Sequence, residues 1–148
     1  MSLEEYQAKR HFEKTPEPSG KVGGEGGGRF VIHRHQTRHL HYDFRLEMAG
    51  VLKSWAVPKG VPAESGVRRL AVQVEDHPID YIDFTGSIPE GEYGAGTVEI
   101  WDKGNFALDK EAPDRLELTL HGEKLSGDYV LIHTDGKNWL LIKRKQSE

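Results

Sequence analysis

At 148 residues, with 36% hydrophobic and 30% charged positions and a formal net charge of −4, the chain has the size and composition of one domain with room for a modest core. It has no cysteine, which excludes disulfides and thiolate metal sites; no apolar run approaches the ~20 residues that cross a bilayer and no signal-like stretch opens it, so no membrane role and a cytoplasmic setting are expected. Residues 1–60 are net +3 and residues 61–148 net −7, which excludes a grip on nucleic acid through bulk charge and leaves a local basic groove, built from the first half and touching few phosphates.

In chain order, Ser2-Leu3-Glu4-Glu5 has the form of a capping box, and Leu3, Tyr6 and Ala8 to Phe12 extend it into a short predicted helix. Thr15-Pro16-Glu17-Pro18 ends that helix, because proline cannot continue the hydrogen-bonded ladder. Six glycines among residues 19–28 then read as a flexible tether or flap. Residues 1–28 are therefore expected to be an arm and tether, and residues 29–148 the folded body.

The body reads almost entirely as strands: Phe30–His35, Leu40–Glu47, Val51–Val57, Leu70–Glu75, Tyr81–Phe84, Thr97–Trp101, Arg115–His121, Tyr129–His133 and Trp139–Lys143. Turn signals separate them, among them Ala49-Gly50, Pro58-Lys59-Gly60, Gly91 to Gly96, Lys103-Gly104-Asn105 and Asp135-Gly136-Lys137-Asn138. No internal repeat is visible. Many short strands at this spacing predict an all-β fold, mainly an antiparallel β-barrel, with a short N-terminal helical arm.

Half of the eight histidines lie in His33-Arg34-His35-Gln36-Thr37-Arg38-His39-Leu40-His41. From Leu40 to Glu47 the chain alternates strictly, with Leu40, Tyr42, Phe44 and Leu46 apolar and His41, Asp43, Arg45 and Glu47 polar. Period two marks a half-buried strand, which places His41, Asp43 and Arg45 on one face. If the flanking strands pair as a hairpin around Gln36–His39, His35 joins them. Two imidazoles and a carboxylate suit a divalent transition metal, with positions left for water and substrate. The plainer alternative is a polar strand face without a ligand.

Arg45 offers a planar fork of donors to phosphate oxygens, Lys59 a point charge at the turn after Trp55, and His77 a proton or hydrogen bond near neutral pH. The ordinary alternatives are a solvated turn lysine and a strand-end histidine capping a carbonyl. Gly91, Gly94 and Gly96 look only superficially like a phosphate-cradling loop, since no Gly-Lys-Ser/Thr follows and the next element is a strand. His121 and His133 read as structural, and Trp55, Trp101 and Trp139 as core.

The run Phe30 through Gly60, with His35, His41-Tyr42-Asp43-Phe44-Arg45-Leu46-Glu47 and Lys53-Ser54-Trp55-Ala56-Val57-Pro58-Lys59-Gly60, resembles the 3′-phosphoesterase domain of bacterial DNA ligase D. The likeness continues in Arg69-Leu70-Ala71-Val72, Val74-Glu75-Asp76-His77-Pro78, Tyr81 and Ile88-Pro89-Glu90-Gly91-Glu92-Tyr93-Gly94-Ala95-Gly96, and in the arm at Tyr6, Lys9-Arg10, Phe12 and Thr15-Pro16-Glu17-Pro18. It spans residues 3–18 and 29–106, and because no ligase or polymerase module is in the sequence, a free-standing member is expected. The resemblance implies a β-barrel that trims 3′ ends at DNA breaks with manganese, or another divalent ion such as zinc or cobalt. The implied substrates are DNA or RNA/DNA primer-template ends, from which a 3′-ribonucleoside and then the 3′-phosphate are removed before a separate ligase or polymerase of the end-joining system acts. His35, His41 and Asp43 would hold the metal, and Arg45, Lys59 and Arg69 the scissile phosphate. His77 would be the general acid or transition-state donor, with Tyr81 nearby, and Arg10 and Glu17 on the arm would support activity.

Two positions depart from the resemblance. His11 stands where the family usually has an aspartate, which weakens the ribonuclease expectation more than the phosphatase one. His33 stands where a glutamine is common, on the face of His35, placed to add a ligand or a phosphate contact. Two rival readings differ in class. A non-haem iron oxygenase would use His35, His41 and Asp43 as a facial triad and Arg45 for a co-substrate carboxylate; a non-catalytic end-binding module would bind DNA ends without turnover. Nothing in the sequence suggests an obligate dimer, and a monomer is expected.

Overall fold

The computed structural model describes residues 3–18 and 28–145. Nine strands form one sheet: β1 Arg29–Gln36, β2 Leu40–Met48, β3 Val51–Val57, β4 Arg68–His77, β5 Gly86–Ile88, β6 Gly96–Ala112, β7 Arg115–Gly122, β8 Ser126–Asp135 and β9 Asn138–Lys143. Neighbours run in the order β1-β2-β3-β4-β9-β8-β7-β6, and β6 pairs back with β1, so eight strands close a barrel and β5 lies alongside β6. Every pairing is antiparallel, and closure leaves the eight no free edges.

The barrel is filled by alternate residues of its strands, including Phe30, Ile32, Phe44, Leu46, Trp55, Leu118, Leu131 and Leu141. Trp55 and Trp139 meet edge to face with ring centres 5.7 Å apart, and Trp101 packs on Tyr42 where this core reaches one end. A second apolar cluster lies on the outer wall, where Val31 and Leu52 are covered by Tyr6 of the arm and by Tyr81, Ile82, Phe84 and Ile88. The alternation in β2 predicted one buried face and one solvated one. Instead, everything from Asp43 to Met48 is buried, because the arm and the segment after β4 cover the polar face as well.

Three local expectations change. The arm helix, α1, is only Glu4–Ala8, with Leu3 at its N-cap making no side-chain cap bond; Ser2 of the expected capping box lies outside the described residues, as does the tether at 19–27. Tyr81–Phe84, expected as a strand, instead falls in and just after a 3₁₀ turn at Ile79–Asp83 that follows Pro78. Lys103-Gly104-Asn105, expected as a turn, lies inside the 17-residue β6. Gly104 is needed there for a different reason: a Cβ would run into the carbonyl of His121 on β7.

Candidate metal centre and phosphate cleft

The β1–β2 hairpin fixes the geometry. Its loop is Thr37-Arg38-His39, pinned by Thr37 Oγ1 donating to the His39 carbonyl at 2.9 Å. That length sets His35 opposite His41 and His33 opposite Asp43. A slip of one residue would send half of these side chains into the barrel.

His35, His41 and Asp43 each offer a ligand atom, and these atoms lie within 4.8 Å of one another. His35 Nδ1 is 3.4 Å and His41 Nε2 3.3 Å from the Asp43 carboxylate. His35 Nε2–H donates to the Gly94 carbonyl at 2.7 Å, which fixes the tautomer and leaves Nδ1 bare toward the cluster. Burial works against the Asp43 charge, but Arg45 above all, with the His35 and His41 imidazoles beside it, outweighs that and holds the carboxyl well below its usual range. The hydrogen bond to Asp43 raises His41 against the opposing effect of burial. This donor set fits a divalent transition ion: two nitrogens and a carboxylate, one nitrogen oriented by a backbone carbonyl.

Arg45 lies beside it, 3% exposed. Its Nη2 donates to Asp43 Oδ2 at 3.1 Å, its Nε to His33 Nδ1 at 3.1 Å, and its guanidinium carbon sits 4.9 Å over the Tyr81 ring. Nη1 is buried with no hydrogen-bond partner among the described residues. His33 is fully buried, and its bonded Nδ1 faces Arg45. Burial and the arginine push it down to about 3. The expected ligand or phosphate contact from His33 is not what its placement gives: it lies behind Arg45, outside the cleft lining, and orients the guanidinium.

His77 is buried, and its Nδ1–H donates to the Glu75 carbonyl at 2.9 Å, which leaves Nε2 bare, 3.5 Å from Arg10 Nη2. Burial first, then Arg45 and Arg10, press it well below the ordinary imidazole value, so it is neutral at pH 7. Tyr81 stacks edge-on against His77 with ring centres 4.7 Å apart, and its hydroxyl donates to Glu17 Oε2 at 2.7 Å. The hydroxyl is thus committed to the arm, and the ring acts as a spacer under Arg45.

The arm closes the cleft. Arg10 donates through Nε to Glu17 Oε2 at 3.0 Å and through Nη1 to Glu75 Oε1 at 3.2 Å, with all three side chains at most 4% exposed. Thr15 Oγ1 adds a hydrogen bond to Glu17 at 3.0 Å, and Lys9 pairs with Glu75 at 3.2 Å. Arg10, Glu17, Glu75, His77, Tyr81, Tyr93, Gly94 and the histidine–aspartate cluster all line one cleft of about 130 Å³.

Lys59 and Arg69 do not line it. Lys59 is exposed three residues beyond Ala56, the partner of Asp43, and Arg69 Nη1 donates to the Lys59 carbonyl at 3.0 Å, so the two stand together at the rim. His11 turns outward to Glu92, 3.2 Å away, with its side chain 65% exposed. His121 and His133 lie elsewhere; His133 packs on Trp139 and bonds the Gly136 carbonyl. Reasoning from the sequence missed Glu75, which anchors the arm, and the Gly94 carbonyl. Glu75 lies two residues before His77 on one strand, a spacing that shares a face, and this was the available signal. A backbone carbonyl leaves none.

The closed β-barrel thus sets buried His35 and Asp43 and half-buried His41 beside a guanidinium with a spare nitrogen, a donor set suited to a divalent ion and an anionic group. Residues 33–133 match the family described as the DNA Ligase D 3′-phosphoesterase domain, and the chain belongs to that family. It is 51% identical to the multifunctional non-homologous end joining protein LigD of Pseudomonas aeruginosa over 158 aligned positions, covering 99% of this chain and 19% of that protein. The corresponding protein of Mycolicibacterium smegmatis is 48% identical, with 99% and 21% covered, and that of Mycobacterium bovis 46% identical, with 99% and 20% covered. The chain thus spans about a fifth of the length of these relatives.

Proposed function

We propose that this protein is a metal-dependent phosphoesterase that cleans 3′ ends for end joining, removing a 3′-terminal ribonucleoside and the 3′-phosphate beneath it to leave a 3′-hydroxyl. In this reading residues 29–148 are the catalytic barrel and residues 1–28 an arm and tether. Its substrates are DNA or RNA/DNA primer-template ends in the cytoplasm at breaks. It acts as a monomer, and a ligase or polymerase activity of the end-joining system follows. The observation that carries the reading is the unpartnered, buried Arg45 Nη1 beside the His35–His41–Asp43 cluster.

His35, His41 and Asp43 would hold the ion, manganese in the first instance, with zinc or cobalt as substitutes. A bound divalent ion supplies Lewis acidity toward a phosphoryl oxygen. Arg45 keeps two of its nitrogens tied to Asp43 and His33 and has Nη1 left for a phosphate oxygen, a pre-set donor that needs no reorganisation. Lys59 and Arg69, at the rim, contribute charge to neighbouring phosphates.

His77 enters neutral, with a bare Nε2. For it to protonate the leaving oxygen, Nε2 must first gain a proton, and with no anion in the cleft Arg10 and Arg45 oppose that. A phosphate seated on Arg45 reverses the local field, so substrate binding and protonation of His77 are coupled. Glu17 and Tyr81 position Arg10 and Arg45 rather than touching the reacting atoms.

Primer-templates bearing a 3′-ribonucleotide or a 3′-phosphate, incubated with manganese, magnesium, zinc or chelator, test the reading. Metal-stimulated release of nucleoside and phosphate, lost in His41→Ala and Asp43→Ala, is expected. Full activity in both variants removes His41 and Asp43 from the site. Binding without turnover under every metal leaves an end-binding module.

A further inference from the structure

The cleft of about 130 Å³ is too small for a nucleoside, since pockets that enclose a ligand of that size begin near ~300 Å³. It accommodates a phosphate group and an ion, so the terminal nucleoside must lie at the mouth. Two rims of opposite character flank that mouth. The rim at the β3–β4 connection carries the exposed Lys59 and Arg68 with Arg69, which suits the phosphates of the incoming strand. The rim formed by the arm and the β5–β6 loop carries Glu5, Glu13, Glu90 and Glu92 against Lys9 and Lys14, which repels a polyanion but tolerates a terminal nucleoside with no phosphate beyond it.

On that second rim stands Tyr93, 47% exposed yet lining the cleft. Its ring is held by two cations, Lys9 Nζ at 4.8 Å and the Arg10 guanidinium carbon at 5.3 Å from its centre. The next residue, Gly94, adopts a φ of +77°, and its carbonyl holds His35. The loop therefore fixes an exposed aromatic ring relative to the metal cluster.

We propose that Tyr93 is the stacking platform for the base of the 3′-terminal nucleoside, with the rest of the strand leaving over the Lys59–Arg69 rim. This rests on the phosphoesterase reading and adds the polarity of the substrate across the site. Base–aromatic stacking is sequence-tolerant, as end cleaning requires, and is worth roughly 5- to 150-fold in apparent affinity.

The test compares an end carrying a base-bearing terminal ribonucleoside with one carrying an abasic terminal ribose, in the wild type, Tyr93→Phe and Tyr93→Ala. The wild type and Tyr93→Phe should show a KM about 5- to 150-fold lower for the base-bearing end, and Tyr93→Ala should lose most of that preference. A 3′-terminal 2-aminopurine ribonucleoside, bound in chelator so that nothing turns over, should lose fluorescence on the first two proteins and keep it on Tyr93→Ala. A wild-type KM ratio near one, or quenching that survives in Tyr93→Ala, overturns the assignment. If no 3′ end is hydrolysed with any metal, the phosphoesterase reading falls, while the fluorescence comparison still decides for or against Tyr93.

Discussion

Glu17→Ala tests whether the arm is part of the active site or merely lies on it. Glu17 is buried and accepts hydrogen bonds from Arg10, Tyr81 and Thr15 at 3.0, 2.7 and 3.0 Å. Removing one member of a buried ion pair typically costs ~3–5 kcal/mol, because the remaining charge stays desolvated. Glu75 still pairs with Arg10 at 3.2 Å, which places the cost at the lower end, about 3 kcal/mol. A five-residue helix has no stability of its own to absorb that loss. If the arm opens as a unit, amide exchange in residues 3–18 should accelerate by roughly 150-fold, the equivalent of about 3 kcal/mol. If it melts only with the barrel, Tm should fall by about 6–12 °C for a domain of this size. Hydrogen exchange followed by mass spectrometry, with a thermal melt alongside, separates the two. Arg10→Met combined with Glu17→Leu removes both charges and should recover much of the stability without recovering turnover, since the cleft loses its Arg10 wall. Wild-type exchange and melting in Glu17→Ala would refute the claim that this network seats the arm.

Two further outcomes are expected. His33 and His77 are both depressed below the unfolded value near 6.5, so between that value and their folded ones the unfolded chain binds protons that the folded chain does not. Stability should therefore fall as pH drops below about 6, by ~1.4 kcal/mol per pH unit for each histidine, and His33→Gln should halve that slope in denaturant titrations at pH 7, 6 and 5. His41, raised by Asp43, acts in the opposite sense: its contribution is fully present below the unfolded value and is lost as pH rises through the folded one. An unchanged slope in His33→Gln would show that His33 titrates alike in both states. Gly104→Ala should cost about 1–3 kcal/mol through the clash with the His121 carbonyl, read as a lower denaturant midpoint; an unshifted midpoint would mean that β6 and β7 do not approach so closely.

The sequence by itself determined the barrel and the face on which His35, His41 and Asp43 lie. Period-two alternation in Leu40–Glu47 and a short loop at Thr37–His39 leave His41 and Asp43 little choice but to share a side with His35, because strand geometry ties spacing to direction. Wherever glycine or a short apolar run had two physical uses, local signals were ambiguous: Gly104 served close packing rather than a turn, and Tyr81 came to rest in a 3₁₀ turn rather than a strand. Only the tertiary structure decided what covers the polar face of β2. The partners of Arg10 are Glu17, seven residues on in the arm, and Glu75, 65 residues away across the barrel wall; no periodicity encodes contacts between an arm and a distant strand. Burial, of His77 under the arm and of His33 under the segment after β4, keeps both imidazoles neutral and leaves one Arg45 nitrogen unpaired, since the energy of a charge depends on the solvent it has lost, and that is settled only when the chain has closed around it.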